Sequence, residues 1–204
     1  MKRVFDVVLS VVSLILLSPV FLVTMVLIRV TSPGPVFYLQ ERVGKGKKLF
    51  VIYKFRTMLA DAEKNTGPIW ATQHDSRVTS IGAFLRKSHL DEIPQFINVI
   101  KGEMSIVGPR PERPTFVEQL KNQLPNYEKR LEVLPGITGL AQIRHRYDTN
   151  FGNASRKIRY DTLYIQKRSF WVDLGILLKT VRVIFTAVDS PLASNAGHAR
   201  IAKE

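Results

Sequence analysis

The chain contains no cysteine. That absence excludes disulfides, thiolate chemistry and cysteine-ligated zinc, and gives no support for an oxidising compartment. Histidine is scarce and scattered: His74, His89, His145 and His198 do not fall at the spacing of a metal-binding set. Acidic residues are few, 17 against 30 lysines and arginines over 204 residues, which leaves a formal charge of +13. Such a balance favours phosphorylated ligands, anionic headgroups or nucleic acid, and charge alone does not choose among them. No internal repeat or low-complexity tract occurs, and the length suits one functional unit with a real core rather than two.

Charge is missing altogether from Val7 to Ile28. About 22 such residues would make roughly 33 Å of straight helix, nominally enough to cross a bilayer. Two features argue against a plain span. Ser18-Pro19 lies close to the midpoint, where proline removes a helix hydrogen bond and clashes with the preceding turn. The break leaves arms of about 11 residues, some 16 Å each and sufficient for one leaflet, with the Ser18 hydroxyl available to cap the freed backbone. Lys2 and Arg3 before the segment, and Arg29 with the basic remainder after it, both favour the cytoplasmic side. A re-entrant helix-hairpin over residues 1–30, marked by Lys2, Arg3, Ser18 and Pro19, meets that demand. A single span does not. A cleaved signal peptide fits poorly, because the apolar region is too long and no small-residue cleavage site follows. Asp6 reads as an interfacial polar residue.

Beyond the turn chemistry of Thr31–Pro35, Val36–Gln40 and Leu49–Phe55 read as a β-hairpin around Gly44–Lys48. Residues 59–80 read as a polar helix turn and loop. From Ile81 the pattern is mostly helical to Lys101-Gly102, and Glu112–Leu134 is a second amphipathic stretch broken at Pro125. Pro135–Gly139 reads as a rigid turn. Ser155–Lys167 and Phe170–Val188 complete the helical pattern, the latter a basic amphipathic helix that suits either the membrane interface or the domain core.

Chemistry concentrates at Leu90-Asp91-Glu92-Ile93-Pro94-Gln95, with Arg86 and Lys87 just upstream. Pro94 fits best in a first helical turn, which puts Asp91 at or near a helix N-terminus. There Asp91 is either a structural N-cap or part of a phosphate site. Adjacent helical carboxylates point about 100° apart, so Asp91 and Glu92 divide roles: one attacks, the other holds metal or organises water. Lys54 and Arg56 alternate onto one face of a strand. Pro109-Arg110-Pro111 fixes the backbone around a guanidinium suited to bidentate phosphate binding, and Arg113 adds a cation. Each basic group alone reads most simply as a solvated surface charge.

Together these segments resemble the monotopic phosphoglycosyl transferases, the bacterial sugar transferase family. The matching stretches are Lys2-Arg3, Ser18-Pro19, SPGPVFYLQERVGKGKKLFVIYKFRTM at 32–58, FLRKSHLDEIPQFINVIKGEMSIVGPRP at 84–111, PGITGLAQ at 135–142 and WVDLGILLKT at 171–180. The resemblance implies transfer of a sugar-1-phosphate from a UDP-sugar to polyprenyl phosphate, undecaprenyl phosphate above all, with release of UMP. It implies Asp91 as nucleophile and site of a covalent adduct, Glu92 as the second dyad member, and Mg²⁺ held by both. Substrate or phosphate binding falls to Lys54, Arg56, Arg86, Gln95, Arg110 and Arg113. The expected fold is α+β and mainly helical: the membrane hairpin, a compact cytoplasmic catalytic domain over 31–190 with a small β-hairpin and interfacial amphipathic helices, and a flexible tail over 191–204. The setting implied is the cytoplasmic face of a bacterial inner membrane, with the lipid bilayer as a partner, no nucleic acid, and a homodimer admitted. The compact form is expected, without further membrane helices before the catalytic region. Pro111–Pro114 and Tyr147-Asp148 depart from many relatives and leave the sugar open. A membrane-anchored basic binding module, or a scaffold of a glycan-assembly complex, explains charge and anchor but not the acidic pair among cations.

Overall fold

The computed structural model describes residues 1–64, 67, 75–144 and 151–189. His74, His145, His198, Tyr147-Asp148 and the expected tail lie outside the described residues. The fold is mainly helical with two small sheets.

Two helices open the chain, α1 (Lys2–Leu16) and α2 (Ser18–Thr31), bent by 62° at Leu17. Proline at position 19 has no N–H to give the Ile15 carbonyl four residues back. The Ser18 hydroxyl donates to that same oxygen at 2.8 Å, so the break leaves no orphan there. The arms, at 15 and 14 residues, are longer than the 11 expected, because the helices extend into the polar flanks. Among the described residues no single helix is long and apolar enough to cross a membrane, and α1 and α2 reach that length only together, across the bend.

One face of the pair packs on the rest of the protein. Leu14, Leu17, Phe21 and Met25 gather with Ile28 around Phe55, Leu85 and Ile93. Asp6 is not interfacial as expected: it is buried, accepting from the Ser105 hydroxyl at 2.7 Å and the Ile106 N–H at 3.4 Å. Lys2 and Arg3 are likewise docking groups. Lys2 reaches Asp173 at 2.5 Å, and Arg3 donates to the carbonyls of Val99 at 2.6 Å and Ile100 at 3.0 Å. Arginine there supplies donors to carbonyls that a helix end leaves without intrahelical partners.

The hairpin β1 (Phe37–Val43) and β2 (Leu49–Phe55) is antiparallel, with Tyr38 opposite Lys54 and Gln40 opposite Ile52. The mostly helical stretch expected from Ile81 is in three pieces. Thr79 caps α3 (Ser80–Ser88) by accepting from Gly82 N–H, His89 ends it at φ 58°, and a 3₁₀ turn at Leu90–Glu92 precedes α4 (Gln95–Lys101). A left-handed residue cannot continue an α-helix, and Pro94 has no N–H to bridge the gap. Gly82 is required by space: a Cβ there would lie 2.0 Å from the Thr57 carbonyl oxygen.

The turn expected at 135–139 contains a strand. β3 (Ser105–Val107) pairs in parallel with β4 (Gly136–Thr138) across an intervening helix, α5 (Pro114–Gln123), and a 3₁₀ segment at Tyr127–Glu132. Three-residue strands carry too little alternation to be read from sequence. α6 (Leu140–Arg144), α7 (Phe151–Lys167) and α8 (Phe170–Asp189) close the fold. Tyr164 and Ile176 join Phe50, Ile52, Val99, Met104, Ile106 and Val107 in the central core. α8 packs one face on the core through Ile176, while Trp171, Leu178 and Val181 are exposed.

Replacing Asp6 removes the buried acceptor that joins α1 to β3. Asp6→Ala is expected to destabilise by about 2 kcal/mol, since the Ile106 N–H loses its acceptor and the Ser105 hydroxyl keeps only the Val107 carbonyl, and Asp6→Asn by less because one acceptor survives. Thermal unfolding of the purified protein in detergent measures both, and equal midpoints for all three proteins would remove Asp6 from the docking interface.

Candidate active site

Three elements converge on Glu92. The 3₁₀ turn aims its carboxylate inward, and Oε1 accepts from Lys54 Nζ at 2.7 Å, on β2, and from Arg110 Nη2 at 2.6 Å, between β3 and α5. Burial opposes the charge on Glu92, but Arg110 and Lys54 outweigh it and hold the group far below the ordinary carboxylate range. The same pairing raises Arg110.

Asp91 is in the opposite position. Its side chain is buried and lines the adjacent cavity, with no hydrogen bond or ion pair among the described residues. Burial raises its pKa, with the attraction of Lys54 against it and the negative charge of Glu92 in support. It caps no helix: the α4 N-cap position is Pro94, so neither the capping role nor Pro94 within the first turn is observed. The divergence of the two carboxylates is as the local geometry requires, one taken by cations and the other facing open space.

The cavity, about 980 Å³, runs from Asp91 between the hairpin, α5 and α7. That volume accommodates a ligand of nucleotide-sugar size. Arg86 lines it, held by Nε to the Thr57 hydroxyl at 2.8 Å, a contact set by the close approach of α3 at Gly82. Arg113 lines it too, gripping both carboxylate oxygens of Glu63 and donating to the Tyr38 hydroxyl at 3.1 Å.

Of the expected binding residues, Arg56 borders the cavity with its guanidinium engaged elsewhere, and Gln95 lies off it. Arg56 does not share a strand face with Lys54, because β2 ends at Phe55. Its guanidinium donates to the carbonyls of Ser32 at 2.7 Å and Pro33 at 2.8 Å and ties down the exit of α2. Gln95 is 1% exposed and does not line the cavity; it turns inward from the first turn of α4.

A second charged cluster escaped the sequence reading. Glu112 Oε1 accepts from Lys157 at 3.1 Å and lies near Arg42, while Arg130 pairs with Asp161 at 2.9 Å. Burial opposes ionisation of Glu112, but Lys157, Arg130 and Arg42 lower its pKa to about 2. Arg42 had a signal: Tyr38, Gln40 and Arg42 alternate along β1 and all line the cavity. Arg130 and Lys157 had none, since they come from a 3₁₀ segment and a distant helix.

The pattern of the bacterial sugar transferases matches residues 1–187. The chain belongs to that family. Similar members include the UDP-N-acetylgalactosamine-undecaprenyl-phosphate N-acetylgalactosaminephosphotransferase of Aeromonas hydrophila, 47% identical over 185 residues. That match takes in 91% of this chain and 44% of the relative. The UDP-glucose:undecaprenyl-phosphate glucose-1-phosphate transferase of Klebsiella pneumoniae is 45% identical over 183 residues, 88% of this chain and 39% of that one. The exopolysaccharide production protein ExoY of Rhizobium meliloti is 39% identical over 197 residues, 90% of this chain and 84% of the relative. This family member thus spans less than half the length of the first two and most of the third.

Proposed function

We propose that this protein transfers a sugar-1-phosphate from a UDP-sugar to polyprenyl phosphate through an adduct on Asp91, the first membrane step of an envelope polysaccharide. The carrying observation is the contrast within the acidic pair: Glu92 is neutralised by Lys54 and Arg110, while Asp91 is desolvated and free at the cavity wall. A carboxylate stripped of water and partners is a usable nucleophile once cations neutralise the phosphates it approaches.

In the first step an Asp91 oxygen attacks the sugar-bearing phosphorus. The bond from that phosphorus to the bridging oxygen breaks, and UMP leaves with the electron pair. A phosphate oxygen of the polyprenyl phosphate then attacks the same phosphorus, the bond to Asp91 breaks, and the polyprenyl diphosphosugar leaves with the carboxylate restored. Arg86 and Arg110 line the cavity where the phosphates would lie, and Lys54 and Arg110 together keep Glu92 in place.

Mg²⁺ fits these residues. Asp91 has no partner among the described residues, only one oxygen of Glu92 accepts from the two cations, and this ion is commonly held by one or two carboxylates plus substrate phosphates. No group of three suitable ligands occurs among the described residues, so Asp91 and Glu92 would hold the ion jointly with the diphosphate. Bound there it would neutralise phosphate charge.

The α1–α2 pair is a re-entrant hairpin that sets this site at the cytoplasmic membrane surface. Arms of 15 and 14 residues reach roughly 22 and 21 Å, short of the ~30 Å hydrocarbon core. Both ends are tied to the same body, the first through Lys2 and Arg3 and the second through Arg56 at Ser32 and Pro33. The outer face, with Ile15, Leu16, Leu22, Val23 and Val26, is exposed, as are Phe170 and Trp171 at the start of α8. An aqueous nucleotide sugar and a membrane-held phosphate meet at such a boundary.

A cysteine placed before Met1 and one replacing Asp61 are expected to label from the same side of sealed vesicles, and opposite accessibility would mean a span. With UDP-N-acetylgalactosamine and UDP-glucose in the substrate panel, the purified protein is expected to release UMP in a burst of about one per enzyme without lipid acceptor. Asp91→Asn should fold and show no burst. UMP release that strictly requires polyprenyl phosphate would indicate direct attack by the lipid instead.

A further inference from the structure

We propose that Arg130, with its counter-ion Asp161, is a positioning residue for Arg110, a role that rests on the transfer reaction proposed above. The segment Pro109-Arg110-Pro111 has lost two backbone donors to proline, so it can be fixed mainly through its carbonyls. Four successive carbonyls each have a donor. Pro109 O accepts from Gly136 N–H at 2.9 Å and Glu112 O from Val43 N–H at 3.0 Å. Between them, Arg110 O accepts from Arg130 Nη2 at 2.8 Å and Pro111 O from Arg42 Nη1 at 3.1 Å.

Arg110 is therefore held at both ends. Its carbonyl rests on Arg130, and its guanidinium rests on Glu92. Arg130 is fixed in turn: Nη1 donates to the Tyr127 hydroxyl at 3.1 Å, and Asp161 lies 2.9 Å from Nη2, with side chains 4% and 2% exposed. Burying such a pair adds little stability compared with apolar residues of the same volume. What it supplies is a rigid planar fork that reaches a hydroxyl, a carbonyl and a carboxylate together, which a lysine cannot reproduce. Proline on both sides of Arg110 limits its backbone, so moving the carbonyl moves the guanidinium, and a shift of about 1 Å at a charged clamp can lower a rate by about 100-fold.

The test is a double-mutant cycle in the full-length protein, reading kcat/KM for UMP release and thermal midpoint. Arg130→Lys is expected to lower kcat/KM about tenfold, with a midpoint within a few degrees of wild type. Arg110→Lys lowers it by a similar factor, and the double variant should lose no more than about twofold beyond either alone, because both act through one group. Losses that multiply to about 100-fold, or an Arg130→Lys protein with wild-type turnover, would overturn the proposal. If Arg130→Lys does not fold, Arg130→Met combined with Asp161→Leu, which removes the donor to the Arg110 carbonyl without leaving a buried charge unpaired, takes its place in the cycle with the same criteria. Absence of UMP release from the wild-type protein with every UDP-sugar would instead refute the transfer reaction itself.

Discussion

The ion pairs of Glu92 with Lys54 and Arg110 are the constraint on which the site depends. A part-buried carboxylate keeps its charge there because both cations stay in place. The three groups come from β2, a 3₁₀ turn and the Pro-Arg-Pro segment, so satisfying Glu92 fixes three parts of the chain relative to one another. It also fixes what Asp91 does. With the cations drawn to its neighbour, Asp91 is left desolvated beside the cavity, and burial raises its pKa.

The bent N-terminal helix pair is part of the same structure rather than an appendage. Asp6 completes the hydrogen bonding of β3 at Ser105 and Ile106, and β3 leads directly into the segment that carries Arg110. Lys2 joins Asp173 on α8, and Asp173 accepts from the Tyr164 hydroxyl at 2.8 Å. Lys2, the buried Asp173 carboxylate and the buried Tyr164 hydroxyl therefore connect the first turn of the chain to its last helices, and Asp6 connects it to β3. The geometry that would hold the hairpin in one leaflet is continuous with the geometry that aims the clamp.

The sequence made some of this legible and concealed the rest for identifiable reasons. Ser18-Pro19 marked the bend because proline chemistry is local, and the β-hairpin was visible from its alternation. Asp91, Glu92, Arg86 and Arg110 were legible through their spacing and their resemblance to a family pattern, and the structure brings them to one cavity. Asp6 was misjudged because burial depends on Ser105, about a hundred residues away. Gln95 differs for a similar reason: a helical residue next to a cavity can still face the core, while Arg56 borders the cavity but spends its donors on Ser32 and Pro33. Arg130, Asp161 and Lys157 belong to contacts made only when distant segments pack, and no local pattern announces them.

The central claim is that Asp91 itself carries the sugar phosphate. The most direct measurement is mass spectrometry of peptides from enzyme mixed with UDP-sugar in the absence of lipid acceptor and quenched in acid. The account requires a mass increase equal to one sugar phosphate on the peptide containing Asp91, lost when polyprenyl phosphate is added before the quench. The same increase on another residue, or an unmodified enzyme that has nonetheless released stoichiometric UMP, would contradict it.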